Sequence, residues 1–104
     1  MSETHGEAPT HPRTELDKEL TSPLRLSIAA ALSKVGEAEF SAIRDAVVTN
    51  DAELSRQITR LLEVGYVDIT KQKSGRYMKT WLTLTPAGRT ALDAHVAALR
   101  AITG

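Results

Sequence analysis

The chain has 104 residues, of which 13 are Lys or Arg and 13 are Asp or Glu, so its formal net charge is zero. This length suits one domain with its own core and is too short for a large enzyme pocket plus its scaffold. The absence of cysteine excludes disulfides, thiolate metal sites and thiol redox sensing. No apolar run approaches the ~20 residues of a membrane span, and no signal-peptide pattern is present. We therefore expect a soluble, cytoplasmic protein with no membrane partner.

Charge is distributed unevenly along the chain. Residues 1–54 carry five Lys or Arg against ten Asp or Glu, whereas residues 55–104 carry eight against three. The strongest local excess consists of Lys71, Lys73, Arg76 and Lys79, with no acid among them. Because a protein binds through its local potential, this division is compatible with a basic DNA-binding face and an acidic rear.

The first third of the chain predicts a polar tail followed by helices. Residues 1–13 contain two prolines and show no apolar periodicity, so we expect a disordered tail. Residues 14–20 predict a short helix. The pair Ser22-Pro23 is a hydroxyl cap followed by proline, which predicts the start of a core helix that ends at Gly36. Residues 37–40 then predict a short extended connection that joins a sheet.

Two further helices are predicted on either side of a short polar turn. Ser41 is expected to cap a short helix over residues 42–48. Asn50, with Glu53 three residues later, matches a capping box in which asparagine replaces the usual Ser or Thr. The helix that follows is predicted over residues 51–64, because its apolar residues fall within an arc of about 100°. Gly65 is the predicted stop.

A hairpin and a long helix complete the pattern. Residues 66–70 and 80–84 alternate as strands, with Ser74-Gly75 as the turn. Thr85 and the proline after it predict the start of a last helix over residues 85–102. Trp81 is expected in the core. The predicted fold class is mainly α with a small β-hairpin (α+β), formed by one domain over residues 14–104.

The helix over residues 51–64 has a polar face that suits a DNA major groove. A small residue near its start permits close approach, hydroxyls can bond base edges or phosphate, and arginine can bind guanine bidentately. The candidate DNA-binding residues of this recognition helix are Ala52, Ser55, Arg56, Thr59 and Arg60. Asp51 and Glu53 oppose this interpretation, because carboxylates repel phosphate. The alternative is an ordinary solvated helix face.

The hairpin carries cations on both sides of its glycine turn. Such cations release counterions from phosphate and provide affinity without sequence information. The candidate DNA-binding residues of the hairpin are Lys71, Lys73, Arg76 and Lys79. The alternative is a charged strand edge that discourages aggregation.

The last helix is longer than one small core requires, and its Ala and Leu faces suit close helix packing. We predict a homodimer interface formed by Leu16, Leu20, Leu92, Val96, Leu99 and Ile102. A two-fold dimer would place two recognition helices one DNA turn, ~34 Å, apart, which matches a palindromic operator. The alternative is that this helix packs only on its own domain.

Catalytic and metal sites have little support in the sequence. His5, His11 and His95 form no metal-ligand spacing, and no nucleophile elbow, Walker loop, dinucleotide-binding glycine motif or zinc-protease motif is present. We therefore expect no metal, no cofactor and no enzymatic activity.

Four segments resemble a known family. They are SPLRLSIAAAL, FSAIR, LSRQITRLLEVGYV and KTWLTLTPAGRTAL, and the resemblance that they carry covers the chain from about Leu16 to Ile102. They are similar to the small single-domain winged helix-turn-helix transcriptional regulators of the MarR/ArsR-like type. The resemblance implies a homodimeric regulator with recognition-helix and wing contacts at the positions given above. It also implies a possible small-molecule effector at the dimer cleft. Gln57 stands where relatives often have histidine, so base preference is not transferred.

The sequence therefore predicts a sequence-specific regulator of transcription that binds double-stranded DNA, with repression as the expected effect. Residues 51–64 would enter the major groove, and residues 67–84 would lie on the backbone or minor groove. The alternative is a winged-helix module that docks a partner protein without specific DNA binding. Zero net charge, Asp51 and Glu53 motivate this alternative.

Overall fold

The computed structural model describes residues 10–104, and most of the tail predicted to be disordered, residues 1–9, lies outside that range. Two short 3-10 helices, Pro12–Glu15 and Lys18–Leu20, come first. They are followed by α1 (Pro23–Val35), β1 (Glu37–Glu39), α2 (Phe40–Ala46), α3 (Asp51–Glu63), β2 (Val67–Ser74), β3 (Tyr77–Leu84) and α4 (Pro86–Thr103). The predicted α+β class and the order of its elements are confirmed. None of these helices is both long and apolar enough to cross a membrane.

The N-terminal segment, residues 12–20, differs from its prediction. Pro12 and Arg13 belong to a 3-10 helix and not to a disordered tail, and the helix predicted over residues 14–20 is broken at Asp17. Asp17 is extended, and its carboxylate accepts a hydrogen bond of 2.8 Å from the backbone N–H of Glu19. This side-chain cap offers the backbone an alternative to a continuous helix.

The N-terminal segment is hydrogen-bonded to α4 and to the residue that precedes β2. The buried His95 of α4 accepts a hydrogen bond through Nδ1 from the backbone N–H of Asp17, at 3.0 Å. The Tyr66 hydroxyl donates to the Asp17 carboxylate, and this bond, together with burial, raises the pKa of Tyr66 to about 12. The segment is thus fixed between the start of β2 and α4.

Three of the four helix starts carry the predicted side-chain caps. Ser22 accepts from the N–H of Arg25, Asn50 from that of Glu53 and Thr85 from that of Gly88, at 3.2, 2.8 and 2.9 Å. Ser41 does not cap α2. The helix begins at Phe40 directly after β1, with Glu39 at the N-cap and no side-chain cap bond.

The sheet is antiparallel and has the strand order β1-β3-β2. The extended connection predicted over residues 37–40 is confirmed for Glu37–Glu39 as β1, which pairs Glu37 with Thr83 of β3, whereas Phe40 already belongs to α2. The hairpin is longer than predicted, because pairing continues to Ser74 and Tyr77. The turn is therefore Gly75-Arg76, one residue later than expected, and Gly75 has a φ of 60°, which suits glycine.

Trp81 is not a core residue, which corrects the prediction. Successive strand residues face opposite sides, and Leu82 and Leu84 are the buried residues of β3. Trp81 therefore lies on the outer face of the sheet, half-buried beside its strand partners Glu39 and Thr70.

One apolar core joins the helices to the sheet. Its fully buried side chains, each contributing about 1.5–3 kcal/mol by burial, include Leu20, Ile28, Leu32, Leu54, Leu61, Val67 and Leu82. Leu20 and Leu92 are only 0% and 5% exposed, so they offer almost no surface to a partner. Their assignment to the dimer interface is therefore corrected, because both pack within their own chain. Leu16 and Val96 are half-buried, whereas Leu99 and Ile102 are exposed.

The start of α4 is held against the turn between α3 and β2. The Thr85 hydroxyl donates to the carbonyl of Gly65 at 2.6 Å, and its N–H donates to the carbonyl of Tyr66 at 3.0 Å. Gly88 is buried against the same carbonyl, so that a Cβ at this position would lie 2.2 Å from the Tyr66 oxygen. The long helix is thus rigidly connected to the end of α3.

Candidate nucleic-acid interface

The outward face of α3 carries every residue predicted from its sequence. Leu54, Ile58 and Leu61 point into the core, and this fixes the rotation of the helix. The five candidate residues are all exposed: Ala52, Ser55, Arg56, Thr59 and Arg60. The helix is therefore anchored on one side and offers a small residue, two hydroxyls and two guanidinium groups on the other.

The two arginines of α3 have different surroundings. Arg56 has 67% of its side chain exposed and contacts only the carboxylate of Glu53 among described ion pairs. Arg60 is held by the carboxylate of Glu19, with Nε and Nη2 each 2.7 Å from a separate oxygen. These hydrogen bonds lower the pKa of Glu19 and raise that of Arg60. Arg56 is thus the more available of the two.

Both acids at the start of α3 are paired with arginine. Asp51 accepts from Arg44 of α2 at 2.9 Å, which also joins the two helices across their turn. Glu53 accepts hydrogen bonds from Gln57 at 2.6 Å and from Arg56. Both bonds lower the pKa of Glu53, and the bond from Gln57 has the larger effect. The repulsion of phosphate expected from Asp51 and Glu53 is therefore partly offset by neighbouring cations.

A groove of about 280 Å³ separates α3 from the hairpin. Ser55 and Thr59 line one wall, and Lys71 and Thr80 line the other. Its apolar lining comes from Phe40, Ile58, Ile69 and Leu82. Residues predicted separately on the helix and on the hairpin thus border one continuous surface.

The four hairpin cations do not share one environment. Lys71 and Lys73 alternate with outward residues of β2 and lie on the face that turns toward α3, and Arg76 lies in the turn at the tip. Lys79 is on the opposite face, 3.6 Å from the carboxylate of Glu39. Within residues 10–104, no carboxylate is within ion-pair distance of Lys71, Lys73 or Arg76. Lys79 is therefore separated from the group with which it was predicted.

The sequence did not predict the side-chain contacts that hold the polar residues of α3. Gln57 and Glu53 are four residues apart, so their contact follows the ordinary spacing of helix neighbours. Glu19 and Arg25 contact α3 from distant parts of the chain, and no sequence spacing signals those contacts.

No group of three metal-binding side chains is found in the described part of the chain.

Comparison with known proteins identifies the family. The profile of a winged helix DNA-binding domain matches residues 24–103, which is most of the chain and includes α3, the hairpin and α4. The chain belongs to the winged helix DNA-binding domain family. The hairpin between β2 and β3 is accordingly its wing, and the resemblance inferred from sequence motifs is confirmed.

Solved structures support this assignment. A transcriptional regulator homologue from Pyrococcus horikoshii OT3 is 26% identical, with a TM-score of 0.78, 82% of this chain covered and 84% of that one. A MarR-family transcriptional regulator from Silicibacter pomeroyi is 25% identical, with a TM-score of 0.64 and coverages of 88% and 64%. Bordetella bronchiseptica BpsR shares the fold at 21% identity, with a TM-score of 0.71 and coverages of 88% and 68%. This chain therefore spans less than two thirds of the Silicibacter protein. No protein of curated function gives a significant match.

Proposed function

We propose that this winged helix protein is a sequence-specific regulator that binds double-stranded DNA as a homodimer and represses transcription by occluding a promoter. The observation that carries the proposal is the continuous surface formed by the outward face of α3 and the inner face of the wing. Ser55, Thr59 and Lys71 line the groove between them, and Arg56 is largely exposed on α3. Within residues 10–104, Lys71, Lys73 and Arg76 have no carboxylate partner, whereas Asp51 and Glu53 are each paired with an arginine.

In this proposal α3 enters the major groove. Ala52 lets the helix approach closely, Arg56 reads a base edge, and Ser55 and Thr59 bond bases or phosphate. Lys71, Lys73 and Arg76 place the wing on the backbone or minor groove. Arg60 and Lys79 contribute less than predicted, since Glu19 and Glu39 compete with phosphate for them.

The proposed dimer uses α4. Leu99 and Ile102 are 36% and 38% exposed on its last turns, and Val96 and Leu16 are half-buried. Burying these side chains against a second copy would remove them from water. A two-fold arrangement presents one α3 to each half of a palindromic operator.

A small-molecule effector forms part of the proposal. The BpsR structure concerns regulation of that protein's DNA binding by 6-hydroxynicotinic acid, and PcaV from Streptomyces coelicolor has been solved with its natural ligand. Both share only the fold with this chain. We place an effector, without naming its chemistry, at the cleft between the two protomers.

The experiment that tests the function selects binding sites from a pool of random-sequence duplexes. Wild-type protein is expected to enrich an inverted repeat, and Arg56→Ala is expected to lose discrimination at one position of each half-site. Affinity should fall steeply between about 50 mM and about 200 mM salt. If no sequence is enriched and neutralising Lys71, Lys73 and Arg76 leaves DNA affinity unchanged, the protein-docking alternative replaces this proposal.

A further inference from the structure

A chain of side-chain hydrogen bonds leads from the N-terminal segment to the exposed guanidinium of α3. Arg25 of α1 donates through Nε to the backbone carbonyl of Glu19 at 2.6 Å and through Nη1 to the amide oxygen of Gln57 at 2.7 Å. The Gln57 amide nitrogen donates to Glu53 at 2.6 Å, and the other Glu53 oxygen accepts from Arg56. The last member is the residue proposed to read a base.

Exposure increases along this chain of contacts. The side chains of Glu19 and Arg25 are 18% and 21% exposed, that of Glu53 is 30% exposed and that of Arg56 is 67% exposed. Glu19 and Arg25, at one end of the chain of hydrogen bonds, are therefore largely buried, and Arg56, at the other end, is exposed to solvent. The buried end is itself fixed, because Asp17, two residues before Glu19, is bonded to His95 and Tyr66.

Gln57 joins Arg25 to Glu53, and its side-chain amide can do so in only one orientation. Its oxygen faces a guanidinium and its amide nitrogen faces a carboxylate, and the reversed amide would place donors against donors and acceptors against an acceptor. Only one orientation of Gln57 satisfies both neighbours, so Glu53 is held in one place. An isolated Glu53–Arg56 pair on a helix surface would be weak and mobile. With one carboxylate oxygen already held by Gln57, the other presents a fixed acceptor to Arg56.

We propose that Gln57 and Glu53 are positioning residues that set the conformation of Arg56 for base reading, with Arg25 as their anchor. The inference rests on the proposed function and adds a specificity mechanism to it. An arginine side chain loses much rotamer freedom when it is immobilised on a target. Ordering Arg56 before the encounter removes part of that cost for the base that suits the ordered geometry, and it does not help other bases. Glu53 thus acts through Arg56 and need not touch DNA.

The test replaces Gln57 with methionine, which is close in size, uncharged and unable to form either hydrogen bond. The matched control is Gln72→Met, since Gln72 is exposed on the outer face of the wing. In the absence of DNA, nitrogen relaxation of the Arg56 Nε–H group should show greater mobility in Gln57→Met and no change in Gln72→Met.

The DNA measurement compares preferred and altered half-sites at the position where Arg56→Ala loses discrimination. Gln57→Met should reduce discrimination there by about three- to tenfold, a fraction of a good bidentate contact. Affinity for random duplex and its salt dependence should stay the same, because no charge changes. In an Arg56→Ala background, Gln57→Met should cause no further loss.

Two results would overturn the proposal. One is wild-type discrimination together with unchanged Arg56 mobility in Gln57→Met. The other is an equal loss with and without Arg56, which would indicate a general structural effect. Failure of the proposed function is distinguishable, because wild type would then enrich no sequence while the DNA-free measurement still showed Arg56 to be ordered by Gln57.

Discussion

The two lysines on the inner face of the wing give the DNA-binding proposal a quantitative consequence. Lys71 and Lys73 face the same side as α3, and within the described residues neither has a carboxylate partner. Each phosphate neutralised by a protein cation makes the slope of log affinity against log salt more negative by about 0.9. The double change Lys71→Gln and Lys73→Gln should therefore make the slope less negative by about 1.8 per protomer, or about 3.6 per dimer.

Fluorescence anisotropy with a labelled operator duplex measures this slope over about 50 to 200 mM salt. Lys79→Gln is the matched control, because Lys79 is paired with Glu39 on the opposite face of the wing and should change the slope much less. An unchanged slope in the double variant, or an equal change in Lys79→Gln, would refute the assignment of the inner face to phosphate.

Four further predictions concern stability and assembly. Gly88→Ala should destabilise the protein by about 2 kcal/mol, because a Cβ would lie 2.2 Å from the Tyr66 carbonyl oxygen. This loss is expected even though alanine has a better helix propensity than glycine. A melting temperature at or above that of wild type would contradict this packing. Val48 has a φ of 56° and is 88% exposed, so Val48→Gly should raise stability in urea by about 0.5–1 kcal/mol, the relief of left-handed strain minus the entropy cost of glycine; a lower midpoint would contradict the strain. The hydrogen bonds from Arg60 lower the pKa of Glu19, so its carboxylate stabilises the fold above its unfolded pKa and this contribution is lost as pH falls through the folded pKa. The stability difference between wild type and Glu19→Gln should accordingly shrink below about pH 4.3, and a difference independent of pH would count against the ion pair. Leu99→Asp should convert a dimer to a monomer in analytical ultracentrifugation, and a wild type that is monomeric at tens of micromolar would remove the dimer from the proposal.

The helix starts and the apolar periodicity were predictable because they depend on local rules. Ser22, Asn50 and Thr85 cap their helices through backbone groups three residues ahead, a spacing visible in the sequence. Trp81 was misplaced because its size suggested the core, whereas strand alternation gives the inner face to Leu82 and Leu84. Leu20 was misplaced because only the three-dimensional packing of residues 12–20 shows that it belongs to the core.

The residues of the candidate site could be predicted from the sequence, but the ion pairs that they form could not. The outward residues of α3 follow from helix periodicity, which places Leu54 and its core neighbours on the opposite side. The ion pair between Arg60 and Glu19 joins positions 41 residues apart, and that between Lys79 and Glu39 crosses from β3 to the first strand. Such long-range pairs depend on tertiary structure, so the sequence could not distinguish Arg56 from Arg60 or Lys71 from Lys79.

In the proposed function, α3 and the inner face of the wing bind duplex DNA together. Titrating isotopically labelled protein with the selected operator, and mapping the perturbed amide resonances, tests it most directly. The largest perturbations are expected at Ser55, Arg56, Thr59, Lys71 and Lys73, with small changes on the outer face of the sheet. Perturbations centred on that outer face, or on α4 with α3 and the wing unaffected, would contradict the claim.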